Sequence, residues 1–228
     1  MTAAETSPSS GRARVWDLPT RLFHWLLVVL VALSWWSAET HRMELHRYAG
    51  YAVLGLLVFR GFWGFAGSST ARFSGFVKGP AATLAYVRTL SKRKPSESVG
   101  HNPLGALSVL ALLAALICLV TFGLFAVDID GLESGPLSQY VDFDTGRAFA
   151  ELHETSFNVL LVLIALHLAA LAFYLVYKRE NLVRPMVLGW RTFTGAIPEV
   201  RFAPIWRAVI GVVIAVAAAW LVAKGLRI

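Results

Sequence analysis

Five long apolar blocks dominate the chain, at 22–38, 46–67, 103–127, 155–177 and 203–223. A helix needs about 18 or more such residues to cross about 30 Å of hydrocarbon, at about 1.5 Å of rise per residue. Lipid offers no partner for backbone N–H and C=O groups, so each block must satisfy its own by coiling into a helix. The alternating strands of a membrane barrel are absent. Charged residues make up 15% of the chain, against about 25% in soluble domains. The expected fold is therefore an all-α integral membrane protein: a four-helix transmembrane bundle plus one additional C-terminal transmembrane helix.

The net charge of +7 does not point to nucleic acid, because Lys and Arg follow alternate loops. One side collects Arg12, Arg14, Arg21, Arg72, Lys78, Arg88, Lys92, Arg93, Lys94, Lys178, Arg179, Arg184, Arg191, Arg201 and Arg207. The other holds Arg42, Arg47, Arg147, Lys224 and Arg227. The positive-inside rule then sets the amino terminus in the cytoplasm and the carboxyl terminus on the far side of the membrane. Residues 1–14 are polar and are expected as a flexible cytoplasmic tail. The first apolar block is expected as a retained helix, since no small-residue cleavage site clearly follows it. Residues 15–180 form the expected core, 181–202 a cytoplasmic connector, and 203–228 the fifth helix with an outer tail.

Other features fit the same frame. Trp16, Trp25, Trp63, Trp190 and Trp206 fall near inner helix ends, and Trp35, Trp36 and Trp220 near outer ends, where indoles anchor at headgroup level. Arg60, near the inner end of the second block, is expected to snorkel to the surface. Residues 80–90, with the basic end Ser91-Lys92-Arg93-Lys94, read as a surface helix on anionic lipid. The outer loop carries Asp128, Asp130, Glu133, Asp142 and Asp144 against Arg147 alone, a face that attracts cationic partners. A lone cysteine, Cys118, excludes an internal disulfide.

The histidines carry the chemistry. Ionisable groups inside a membrane span are costly and mark function. His167 lies near mid-bilayer, in a stretch whose only other ionisable groups are tyrosines. His153 precedes it by fourteen residues, about 21 Å along a helix and within roughly 40° of the same direction. One helix thus presents two imidazoles on one face at two depths. His46, at the outer start of the second helix, matches His153. His24, shortly after Arg21 on the inner half of the first, matches His167. Two imidazoles on facing helices can ligate one haem iron axially, so the chain offers two stacked layers. No Cys-x-x-Cys-His occurs, which excludes covalent c-type attachment. His41 and His101 are expected at the surface, with helix capping or contact to a haem propionate as further roles for His101. Gly50, Gly55, Gly61, Gly64, Gly105 and Gly123 permit close approach of helices, or of a flat macrocycle. Arg42 and Arg47 stand where outer propionates or headgroups would meet them.

Several stretches resemble the bacterial cytochrome b561 and nickel–iron hydrogenase cytochrome b subunit family. Val15-Trp16-Asp17-Leu18-Pro19-Thr20-Arg21-Leu22-Phe23-His24-Trp25 is similar to its opening. His46-Arg47-Tyr48-Ala49-Gly50-Tyr51 and Phe59-Arg60-Gly61-Phe62-Trp63-Gly64 are similar to the two ends of its second helix. His101-Asn102-Pro103-Leu104-Gly105 resembles the start of its third, and Glu151-Leu152-His153-Glu154 with His167 its fourth. The resemblance spans about 15–190 and implies a bundle holding two non-covalent b haems on His24, His46, His153 and His167. It also implies electron transfer between membrane quinone and a periplasmic redox protein, such as a c-type cytochrome or a hydrogenase-like complex. A homodimer is admitted as well. One branch of the family oxidises superoxide and reduces quinone; the acidic outer loop disfavours that role here. A proton-conducting transporter relaying through His167 and a haem-free membrane anchor are the more distant readings, and the fifth helix leaves the subfamily open.

Overall fold

The computed structural model describes residues 10–93, 98–130, 133–194 and 197–227. In chain order it forms β1 (Ser10–Arg14), α1 (Leu18–Glu39), α2 (Met43–Ala66), α3 (Phe73–Phe76), α4 (Pro80–Val87), α5 (Pro103–Phe125), α6 (Phe143–Val176), α7 (Val183–Leu188), β2 (Trp190–Thr194) and α8 (Ile205–Ala223). Five of these helices, α1, α2, α5, α6 and α8, are long and apolar enough to cross a membrane. Exposed aliphatic side chains such as Val29, Val162, Leu166 and Val213 coat their outer surfaces. The side bearing β1 and β2 is called the near face, and the opposite side the far face.

Local chemistry sets where the helices start. Asp17 caps α1 by accepting from the Thr20 N–H at 2.7 Å, and Pro19 sits in the first turn, where its missing N–H costs nothing. Asn102 caps α5 through Gly105 N–H at 2.8 Å, ahead of Pro103. Asp142 caps α6 through Thr145 N–H at 2.9 Å, and that backbone bond holds its carboxyl below the usual carboxylate range. The cap explains a difference from the sequence reading, which began this helix at 155. The extra turns are polar enough to escape a hydropathy window. At 34 residues, α6 is about 51 Å long and extends well beyond the hydrocarbon layer.

The transmembrane helices pair as two hairpins, α1 with α2 and α5 with α6, which touch one another sparingly, while α8 packs on α2. Small residues make that last contact possible. Gly55 lies against Ala215 and Ala219, and Gly211 against Phe59 and Phe62. On the far face, α8 also meets the loop after α5: Gln139 Nε2 and the Tyr140 hydroxyl both donate to the Gly225 carbonyl, at 3.1 and 2.9 Å. Trp63, Phe59, Phe23, Ala71, Ala208 and Ala215 form the principal buried cluster.

The near face departs from expectation at four points. Ser10–Arg14 is not part of a free tail but pairs antiparallel with Trp190–Thr194, Ser10 opposite Thr194 and Arg14 opposite Trp190. Residues 1–9, and Lys94 of the basic segment, lie outside the described residues. Trp16 and Trp63 are core residues and not headgroup anchors; Trp63 is 1% exposed and donates from Nε1 to Asp17 at 3.1 Å. Arg60 does not snorkel: it is 4% exposed. His101 is not a surface group either. Its ring stands between Trp16 and Phe76, each with its centroid 4.8 Å away.

Asp17 therefore serves two buried donors at once. Asp17→Ala leaves the Trp63 indole N–H and the first turn of α1 unpaired, at a cost of about 2–4 kcal/mol for the lost cap and orphaned donor together. Thermal melting of the detergent-solubilised protein should show a lowered midpoint.

Candidate functional site

On the far side of the bundle, His46 of α2 and His153 of α6 face each other across the gap between the hairpins. Their ring centroids are 6.0 Å apart and their planes nearly perpendicular, at 81°. His46 Nδ1 lies 2.9 Å from the Ser34 carbonyl, and His153 Nδ1 lies 2.7 Å from the Leu119 carbonyl. A carbonyl oxygen can only accept, so each Nδ1 carries the proton and each Nε2 keeps a lone pair. Tying the non-ligating nitrogen to a carbonyl is how proteins fix the tautomer and orientation of a metal-binding imidazole.

The spacing is the right size for one metal between two rings. Metal–imidazole bonds of about 2 Å, one to each side, together with the ring radii, separate the centroids by about 6 Å. Among the described residues no group of three or more His, Cys, Asp or Glu is arranged to hold a bare ion. Two opposed imidazoles would instead suit the iron of a haem, whose porphyrin supplies its remaining ligands.

The surrounding space has room for a flat macrocycle. A cavity of about 730 Å³ opens beside the two rings, lined by α1, α2, α5 and α6 and roofed by the loop at Ser134-Gly135-Pro136. Its volume falls in the 300–1,000 Å³ range of ligand sites. Gly50, one turn below His46, borders the cavity, and a Cβ there would meet nothing within 4 Å. Gly123 of α5 is needed for a different reason. A Cβ there would come within 2.8 Å of both Cε1 and Nδ1 of His153, so only glycine lets that ring stand where it does.

Arg47 borders the same cavity and is committed to Glu133, at 2.6 Å. Arg42 lies over the Trp36 ring, 5.0 Å from its centroid. His41 is exposed, in the tight turn between α1 and α2, with φ 53°.

The near-side pair is looser. His24 and His167 are close enough to interact electrostatically, but no ring contact joins them among the described residues. His24 meets Trp25 edge-on at 4.9 Å, and its Nδ1 is buried with no hydrogen-bond partner. His101 belongs to this cluster. Burial first, then the charges of Arg60, His167 and His24, push its pKa down to about 3, so its imidazole is neutral, and its Nδ1 is also buried without a partner. The sequence reading did not place Arg60 in the site, and it gave His101 contact with a haem propionate only as a role behind a surface one. The signal for Arg60 was present in its spacing: it follows His46 by fourteen residues, as His167 follows His153.

The family model described as prokaryotic cytochrome b561 matches residues 15–189. The chain is 24% identical to a probable Ni/Fe-hydrogenase B-type cytochrome subunit of Azotobacter chroococcum mcd 1, over 81% of this chain and 90% of that one. It is 23% identical, over the same shares, to the corresponding protein of Azotobacter vinelandii. No solved structure gives a significant match. The matched segment ends before α8.

Proposed function

Since the chain belongs to the prokaryotic cytochrome b561 family, and so is an integral membrane cytochrome of the kind that carries electrons on b-type haem, we propose that it holds two such haems and links membrane quinone to a periplasmic redox protein. The observation that carries the reading is the opposed pair His46 and His153, 6.0 Å apart beside the cavity, each with Nδ1 anchored to a carbonyl. When bound, a b haem supplies reversible one-electron chemistry at iron. The chain's own residues do the rest. His46 and His153 would hold one haem on the far side, and His24 and His167 would hold another on the near side. The hairpins exclude water, and α6 sets the two layers about 21 Å apart.

Sidedness follows from charge: the basic near face is cytoplasmic and the acidic far face periplasmic. A redox partner with a basic surface, such as a c-type cytochrome, suits the far face. The quinone is supported by a second groove, of about 590 Å³, between α2 and α8. It is polar at Glu44, Tyr48 and Lys224 and apolar at Val216 and Ala219, and it shares Arg47 and Tyr51 with the larger cavity. An amphiphile diffusing in the bilayer would reach the far-side layer from there. Superoxide oxidation is less well supported, because Arg47, a cation beside the cavity, is neutralised by Glu133.

The test is direct. Protein purified from a haem-replete host should be red, show a b-type spectrum on reduction and contain about two haems per chain, as two axial pairs require. A colourless but folded protein overturns the proposal.

A further inference from the structure

Arg60 is a cation placed where a membrane protein can least tolerate one alone. The side chain is almost wholly buried, and its Nη1 makes no hydrogen bond. Among the described residues it forms no ion pair. The nearest carboxylate, Asp17, already accepts from the Thr20 N–H with one oxygen and from the Trp63 indole with the other. Aromatic faces take part of the charge: the guanidinium carbon stands 4.7 Å above the Phe73 ring and 6.0 Å from the centroid of Phe76. Ring faces soften a buried cation but do not satisfy its N–H groups. His101 also stands beside Phe76, 4.8 Å from the same ring, with a second buried nitrogen lacking a partner. Two buried groups without hydrogen-bond partners beside one ring would suit an acceptor that reaches both.

Position tells which acceptor. On α2, Arg60 lies about 21 Å below His46 and within roughly 40° of its direction. That is the same offset by which His167 lies below His153 on α6. It therefore stands at the level of His24 and His167, and His101 feels the charges of all three. Arginine forks match carboxylates, and the planar ligand proposed for this layer carries two.

We propose that Arg60 and His101 form a seat for a propionate carboxylate of the near-side haem. The assignment rests on the haem reading above. In it, Arg60 is a positioning residue that also holds up the haem's potential: reduction adds an electron, and a nearby buried cation favours the reduced form in a low-dielectric site.

The experiment is an optical redox titration of the full-length holoprotein. Arg60→Gln should lower the midpoint of one component, the one that His167→Ala removes. Its reduction equilibrium should weaken by about tenfold, or about 59 mV for one electron, with the other component shifting far less. Arg60→Lys, which keeps the charge and loses the fork, should move the same component in the same direction by a smaller amount; it carries the test if the Gln variant does not accumulate. With haem dimethyl ester, whose propionates are neutral, wild-type and Arg60→Gln apoprotein should take up the near-side haem with like affinity, whereas native haem should bind the variant more weakly. Unchanged potentials, equal shifts in both components, or an affinity difference that survives esterification would overturn the proposal. A loss of tightly bound phospholipid phosphorus in Arg60→Gln, with potentials unmoved, would assign the seat to a lipid headgroup and overturn it equally. Failure of the haem reading itself is distinct, because the wild type would then contain no haem to titrate.

Discussion

Replacing His153 with alanine is expected to lower the haem content from about two per chain to about one, with the far-side component lost from the reduced spectrum. The imidazole is held on both sides. Its Nδ1 donates to the Leu119 carbonyl at 2.7 Å, and its ring faces His46 at 6.0 Å. Alanine removes the lone pair an iron needs and offers no replacement, since no third His, Cys, Asp or Glu is arranged around the site among the described residues. The helix itself should survive, because alanine is the best helix former and α6 has its own cap at Asp142. A pyridine haemochrome assay on membrane-extracted protein, normalised to chain concentration, reads the outcome directly. Full retention of both haems would remove His153 from the ligand set.

The second large effect concerns a residue that touches no metal. Gly123→Leu places a Cβ within 2.8 Å of Cε1 and Nδ1 of His153, and the rest of the side chain cannot fit without turning that ring away. Disturbing the group that orients a metal ligand typically costs about 10–100-fold in affinity; displacing the ligand itself should reach or exceed that range. The far-side haem should thus be lost, or retained only at saturating haem, while the near-side component stays. Leucine is a strong helix former, so α5 itself is not weakened. Gly61→Ala is the matched control, since a Cβ there meets nothing within 4 Å, and its haem content should equal that of the wild type.

The spans were legible because hydrocarbon thickness imposes a length that no other constraint counterfeits. The far-side pair was legible for a related reason: depth along a helix is a linear function of residue number, so His46 and His153 could be matched without knowing how the helices pack. What stayed hidden was lateral. An arginine one or two turns from a helix end reads alike whether it reaches for the headgroups or points inward, and only the packing of Phe73 and Phe76 against Arg60 separates the two. Trp16 and Trp63 were hidden by the same ambiguity, since interfacial and buried indoles share a position along the chain; Asp17, the partner of Trp63, was visible only as part of a motif. The outer turns of α6 were missed because hydropathy weighs lipid contact and not capping, and Asp142 with Thr145 is a capping signal. The β1–β2 pairing joins segments about 180 residues apart, beyond the reach of any local pattern.

That pairing has a consequence for how the molecule holds together. Val15 donates its backbone N–H to the Gly189 carbonyl at 2.8 Å, so the two limits of the family-matched segment, 15 and 189, meet at one point on the near face. The matched part of the fold is thus a closed circuit whose beginning and end are clasped, and α8 follows the clasp in sequence while packing back on α2. The fifth helix braces that ring from outside, since its Ala208 and Ala215 complete the cluster buried around Phe59 and Trp63.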